Sequence, residues 1–599
     1  MRLRRWGTAL TLLLLITALP GTALAPAAAA TTAPTAPRPL PRLFDNTAVS
    51  DNSRPVAADF DGTGRSLSAQ DLAAAGWSPG SVLTLDGARL RLPRSAAGTP
   101  DNVRAAGQAV AVRGRGDALT YLVAGTGGQV AGRGTVHYRD GSHSAYELIA
   151  PDWRSGPLST KAVALPHVNG PDGQSAGPAR LYAVTVPLRP GREVASVVLP
   201  PAPPAEAALH VFALSVRDTG RGRTGSWAAS TTGYRAVGPL QDRTVRLVVH
   251  SGAGGPRARI RIANTFAAAP VAIGAASIAV RGTGAAADGR PVALTFRGRA
   301  GARIPAGAEL FSDPAAFTVP ADTDLLVSLH LPGTVTAAPV HQEAAQLSYV
   351  SADGSGDRTR DTDGGAYPQT IAFWPFLTGL ETDGGPGSIV ALGDSITDGV
   401  KSTSGANRRW PDVLARRFGA QHALPRYGVL NHGISANRIV TDRYQGDGVS
   451  TDTGGVSAQH RLERDVLAQA GARTVVVFEG INDVRWGTPA EDVIAGLRAL
   501  ARRAHERGLR AVAATLTPCG GYPDCTPAAE ARRQAVNAFL RDGAGQGAFD
   551  ATLDFDAVLR DPAAPARMRP AYDSGDHLHP GDAGLRALGE SIELRTLVP

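Results

Sequence analysis

From about Leu43 to Val216, apolar residues come in short runs divided by Gly, Asp and Pro turns. The runs include Ser81–Leu85, Ala109–Val112, Thr135–Tyr138, Leu181–Val186, Ala195–Leu199 and Leu209–Leu214. Short runs at this spacing predict the strands of an all-β sandwich. Asp218 to Thr224 is polar and rich in Gly and Arg, and reads as a boundary. A second β-rich stretch runs from about Trp227 to Leu380. Its candidate strands are Thr244–His250, Ala258–Asn264, Ala275–Val280, Leu325–Leu329, Ala345–Val350 and Ile371–Phe376. It is expected to form a jelly-roll-like sandwich packed directly on the C-terminal third of the chain.

From Gly387 the rhythm changes. Apolar runs at Ile389–Leu392, Val475–Phe478 and Ala511–Leu516 alternate with segments of helical spacing at Ala490–Arg507, Pro527–Leu540 and Ala583–Ile592. Val493, Leu497 and Leu500 fall on one face of the first of these helices. Such alternation predicts a parallel sheet covered on both faces. The expected plan is multidomain, at the roughly 100–200 residues usual for a domain. It comprises an export signal (1–30), a linker (31–42), two all-β sandwiches (43–217 and 225–384) and an α/β/α, flavodoxin-like domain (385–599).

The N-terminus supplies the export reading. Arg2, Arg4 and Arg5 precede an apolar core, Ala9 to Leu19, too short to cross a bilayer of about 30 Å, and small residues come next at Ala23 to Ala30. The expectation is a secreted protein without stable membrane insertion; the general secretory and twin-arginine routes both stay open. Two cysteines, Cys519 and Cys525, flank a Gly-Gly-Tyr-Pro-Asp turn, and in an exported chain they predict a local disulfide. The net charge of +8 implies an Arg-rich solvated surface, with attraction to acidic polymers as the sharper alternative. No basic block is interleaved with aromatics, which argues against nucleic acid. The acidic stretch Asp353–Ala366 has no regular ligand loop, so neither metal nor cofactor is expected.

Three groups of residues carry candidate chemistry. In Ile389-Val-Ala-Leu-Gly-Asp-Ser395, an apolar strand ends, a Gly permits a tight turn and a Ser stands where a helix begins. That puts the Ser395 hydroxyl at the carboxyl end of a parallel strand, where open α/β sheets bind ligands, or makes it a plain helix cap. A nucleophilic hydroxyl needs a base. Tyr572-Asp-Ser-Gly-Asp576-His-Leu-His579 offers one, with Asp576 placed to orient His579 and His577 as a rival base. Gly433, in Leu430-Asn-His-Gly-Ile-Ser-Ala-Asn437, and Asn482, in Phe478-Glu-Gly-Ile-Asn-Asp483, are candidate oxyanion donors.

Together these blocks resemble the SGNH (GDSL-like) hydrolase family. Gly393-Asp394-Ser395 matches its nucleophile block, Gly433 its glycine block, Gly480-Ile-Asn482-Asp483 its asparagine block, and Asp576-His577-Leu578-His579 its terminal block. The resemblance implies Ser395 as nucleophile, His579 as base and Asp576 as its orienting acid. It implies oxyanion donors at the Ser395 and Gly433 backbone N–H groups and the Asn482 side chain. Many members carry a second glycine three residues after the first; here Ala436 stands in that place. The chain from Trp227 onward resembles secreted actinobacterial esterases with a sandwich ahead of the hydrolase domain. Arg408-Arg409-Trp410-Pro411 belongs to that resemblance, and either lines the substrate or begins a core-packed helix. The expected activity is ester hydrolysis through an acyl-enzyme, with deacylation of a polysaccharide as the leading reading. The alternatives are a short-chain lipase, a mainly glycan-binding protein, and, more remotely, a protease.

Overall fold

The computed structural model describes residues 36–599 except 205, 219, 221 and 453. The export signal expected at 1–30, and residues 31–35 of the expected linker, lie outside them. At the far end of that linker Arg38 already pairs with Val110, its N–H donating to the Ala109 carbonyl at 3.0 Å.

The first β region is a seven-stranded sheet facing a four-stranded one. An inner strand of the larger sheet, Ala118–Thr126, is buried along its whole length. Alternation explains why. Leu119, Tyr121 and Val123 face the core between the two sheets, while Leu122 and Ala124 point the other way, into a core shared with the second β region. The second region has two large sheets, of six and seven strands, and a two-stranded one. The hairpin Val82–Leu85/Ala88–Arg91, which the sequence places in the first sandwich, joins the six-stranded sheet by pairing Thr84 with Glu309. Strand pairing and core therefore both cross the boundary read at Asp218–Thr224. The expected strand Ala345–Val350 shortens to Ser348–Val350.

The main sheet of the C-terminal domain has five strands: β1 (Ser388–Gly393), β2 (Gly428–Gly433), β3 (Ala472–Phe478), β4 (Arg510–Ala514) and β5 (Ala551–Leu553). They run parallel in the order β2-β1-β3-β4-β5. Period-two alternation gives the sheet two apolar faces. Val390, Leu392, Val475 and Val477 enter one core, and Ile389, Ala391, Val476 and Phe478 the other. Helices cover both. The long helices Ala490–Glu506 and Pro527–Arg541 close the first face through Val493, Leu497, Val536 and Leu540. Trp410–Ala420 and Asp582–Ser591 close the second through Trp410, Leu414, Leu585 and Leu588. Thr526 caps the helix at Pro527, accepting the Ala529 N–H, with Pro at its first position. This three-layered α/β/α arrangement has the flavodoxin-like strand order, which puts its topological switch point at β1.

Candidate active site

β1 ends in Gly393, where any Cβ would collide with Thr397 and the Phe478 carbonyl, so the chain turns tightly into the short helix Ser395–Asp398. Asp394 caps it, accepting the Ile396 N–H at 2.9 Å. Ser395 therefore sits at the switch point, above the carboxyl end of β1. His579 reaches it from the loop before the last helix. The His579 Nε2 lies 2.9 Å from Ser395 Oγ, and its Nδ1 lies 2.8 Å from Asp576 Oδ2. The other Asp576 oxygen accepts the backbone N–H groups of His579 (2.8 Å) and Leu578 (3.0 Å). Partial burial acts to raise the Asp576 pKa, but these hydrogen bonds and the neighbouring imidazole outweigh it and bring it down to about 2. Burial is the main cause that lowers the His579 pKa, with Arg485 and Lys401 adding to it against the pull of Asp576. His579 is thus neutral near pH 7 and free to accept a proton, and Asp576 is ionised.

His577, the rival base, points elsewhere. It pairs with Asp573 at 2.6 Å and is half exposed, its ring lying against Gly521. Gly521 belongs to the turn clipped by the Cys519–Cys525 disulfide. In the chain-entropy view so short a closed loop contributes about 2 kcal/mol, so the bond serves mainly to shape a wall beside the triad loop.

The oxyanion assignment needs one correction. The Gly433 N–H is already engaged, donating to Asn431 Oδ1 at 2.9 Å, and Gly433 packs so closely on Thr397 and Asp398 that a Cβ could not fit. It is a close-packing glycine beneath the nucleophile helix. In the turn after β2, the Ile434 N–H donates to the Gly393 carbonyl (3.0 Å), the Ser435 N–H to Asp398 Oδ2 (2.9 Å) and the Asn437 N–H to the Ile434 carbonyl (3.1 Å). Only the Ala436 N–H in this turn finds no acceptor among the described residues. Ala436 holds φ +64°, the left-handed conformation that glycine adopts freely and alanine at a cost of about 1–2 kcal/mol. Asn482, just past β3, donates from Nδ2 to the Asn437 carbonyl (2.8 Å), and its Oδ1 accepts from Arg485 Nε (3.0 Å), which fixes the amide with its second Nδ2 proton unused. The Ser395 N–H likewise has no acceptor among the described residues.

Several buried groups behind the site escaped the sequence reading. Arg461, fully buried, donates to the carbonyls of Gly393 (2.9 Å) and His432 (2.7 Å) and to Asn437 Oδ1 (2.9 Å), so one guanidinium ties together the ends of β1 and β2 and the turn beyond β2. Glu479 lies 3.3 Å from it; burial and then repulsion from Asp394 push the Glu479 pKa up. His341, from the second β region, bonds Asp398 Oδ1 at 3.0 Å, and Ser230, from the same region, bonds His432 Nδ1 at 2.9 Å. No local signal marks these residues, because each gains its meaning from a contact far along the chain. Trp410, by contrast, begins a helix and packs edge-on against Phe555, so the Arg408–Pro411 block belongs to the core side of the two readings offered for it. Among the described residues, no cluster of three or more His, Cys, Asp or Glu stands ready to hold a metal, and no helix is long and apolar enough to cross a membrane.

A hydroxyl, an imidazole and a carboxylate in hydrogen-bonded sequence at the switch point of an α/β/α sheet form the triad of a serine hydrolase, and the acylhydrolase family matched by residues 391–587 makes the class a carboxylic ester hydrolase. Residues 391–587 match the GDSL-like lipase/acylhydrolase family. Solved structures similar to this chain include a lipolytic protein of the G-D-S-L family from Desulfitobacterium hafniense (21% identity, 34% of this chain and 96% of that one, TM-score 0.27). A GDSL-like lipase from Bacteroides thetaiotaomicron is 18% identical (35% and 87% covered, TM-score 0.27). An acetyl xylan esterase from Geobacillus stearothermophilus is 21% identical (35% and 94% covered, TM-score 0.26). None of the curated proteins matches the chain.

Proposed function

We propose that this is a secreted serine esterase that removes acyl groups from a polysaccharide through an acyl-enzyme. The observation that carries the chemistry is the continuous hydrogen-bonded line Asp576–His579–Ser395. Ser395 Oγ attacks the ester carbonyl carbon as His579 Nε2 takes its proton, and Asp576 stabilises the imidazolium. The oxyanion is held by the N–H groups of Ser395 and Ala436 and by Asn482 Nδ2. Collapse breaks the C–O bond to the alcohol, which leaves with the proton from His579. Water then attacks the acyl-enzyme, His579 takes the water's proton, and the acid departs as the proton returns to Ser395 Oγ.

The surroundings support a sugar alcohol over a long acyl chain. Arg485 stacks on Trp486 and Tyr522, at 4.6 and 4.8 Å from their ring centres, and Arg443 covers Trp486 from 4.6 Å. Such an aromatic rim lined with guanidinium groups suits a hydroxylated ring better than an alkyl tail. The leader at 1–30 and the disulfide fit an oxidising, extracellular setting.

Release of acetate from acetylated xylan and pectin, set beside nitrophenyl esters of increasing acyl length, tests the reading. Acetylated polymer should be cleaved and turnover should drop steeply with chain length; preference for long acyl chains would move the protein to the lipases. Ser395→Ala should lower kcat at least about a thousandfold with the fold intact. Asn482→Ala should cost about 10²–10³ in kcat, and a variant as fast as wild type would remove Asn482 from the oxyanion site.

A further inference from the structure

A groove of about 780 Å³ lies away from the triad, on the hairpin Val82–Leu85/Ala88–Arg91 and the segment 296–310 of the second β region. Five arginines line it: Arg89, Arg91, Arg297, Arg299 and Arg303. All five are exposed, and Arg89 and Arg91 point outward on alternate positions of one strand. No carboxylate lies within ion-pair distance of any of them among the described residues; Arg91 donates only to the Gly80 carbonyl, at 3.0 Å. At the start of the strand Ala258–Ala263, two places from the hairpin in the same sheet, the arginines behave differently. There Arg257, Arg259 and Arg261 are matched by Asp383, Glu381 and Glu309. The one acid lining the groove, Glu309, is buried and engaged with Arg261 and the Gly87 N–H. Asp313, close by, is engaged with the N–H groups of Arg297 and Gly298 and with the Thr295 hydroxyl. The groove therefore holds a concentration of positive charge that the fold leaves unneutralised, in a chain whose net charge is already +8.

We infer that this groove binds an anionic polysaccharide and tethers the protein to it, as a site separate from the esterase centre. Guanidinium groups spaced along a groove match repeated carboxylates by paired N–H donation. Phe296, the aromatic residue of the lining, is buried, so no ring is presented for a base to stack on, and that favours a charged glycan over single-stranded nucleic acid. The groove shares Thr84, Arg89, Arg297 and Leu310 with a depression whose wall includes Leu467–Ala470, the residues that lead into β3. It thus lies toward the amino ends of the parallel strands, with Ser395 at the carboxyl ends. A polymer held there is anchored without occupying the triad.

The test uses the full-length protein, wild type and R89Q/R91Q/R297Q/R299Q/R303Q, titrated with polygalacturonate, dextran and single-stranded DNA at two salt concentrations. The wild type should bind polygalacturonate and not dextran, with affinity falling at least tenfold between about 50 and 200 mM salt. The quintuple variant should lose at least tenfold in polygalacturonate affinity while hydrolysing nitrophenyl acetate at the wild-type rate. Ser395→Ala should bind as wild type does, which separates failure of the tether from failure of the esterase reading. Equal binding by the quintuple variant, no binding by the wild type, or tighter binding of DNA than of polygalacturonate would each overturn the proposal.

Discussion

Both β regions grip the α/β/α domain through buried polar contacts; beside the nucleophile helix these come from the second region, and beneath β3 they come from the first. The second region reaches the active-site end. His341 bonds Asp398 in the nucleophile helix, and the other Asp398 oxygen accepts the Ser435 N–H in the turn that carries Ala436. Ser230 bonds His432, at the end of β2. The first region reaches the residues that lead into β3. Its buried Arg217 pairs with Asp117 and with Glu463 and donates to the Leu467 carbonyl at 2.9 Å, while Arg507 joins Glu463 at 2.9 Å. Two regions of one architecture thus hold different things in place: one positions groups next to the reacting atoms, the other the foundation of β3. Sheet class does not tell which; the side chains at the contact do.

That contrast can be broken experimentally. Arg217→Ala removes one of the two arginines that serve the carboxylates of Asp117 and Glu463, leaving Arg507, and should cost up to about 3–5 kcal/mol of stability, read by denaturant unfolding, with kcat and KM of the folded enzyme unchanged. A loss of kcat instead would show that the first region also tunes the site. His341→Asn should do the reverse, lowering kcat by up to about a hundredfold with KM little changed, because a shift in the Ser435–Ala436 turn moves an oxyanion donor. Burial acts to lower the His341 pKa, but the charge and hydrogen bond of Asp398 and the Ser230 carbonyl outweigh it and the opposing Arg409, so the net shift is upward. The wild type should therefore lose kcat as pH rises through that raised value, and His341→Asn should lack this alkaline limb; an identical limb in the variant would remove His341 from the site. The smallest effect is on the acid side. Because burial lowers the His579 pKa, the acid limb of kcat/KM should lie below the pH at which an ordinary histidine titrates.

Much of the layout was legible because its signals are local. Period-two and helical spacing found β1, β3 and β4 and the three long helices, since each element must bury its own apolar face. Ser395 and the Asp576–His579 pair were legible for a related reason: a nucleophile after a strand and an acid three residues before a base each sit within one turn of chain. β2 was not read as a strand, because its apolar run, Val429-Leu430, is short and is followed by the polar Asn431 and His432. Gly433 was read as a donor because a motif says where backbone comes close, not which N–H is left without an acceptor. Asn431 takes that N–H, and only the folded turn shows it.

By itself the sequence determined the α/β class of the last region, the cysteine pair and the candidates for nucleophile, base and acid, all of which arise from patterns within a few residues. Tertiary structure alone decided that the two β regions share a core, that His341, Ser230 and Arg461 brace the site, and that, among the described residues, the Ala436 N–H has no acceptor and five arginines in one groove have no carboxylate partner. The reason is physical: hydrogen bonds and ion pairs are set by distance in space, and residues hundreds of positions apart carry no mark of meeting until the sheets bring them together.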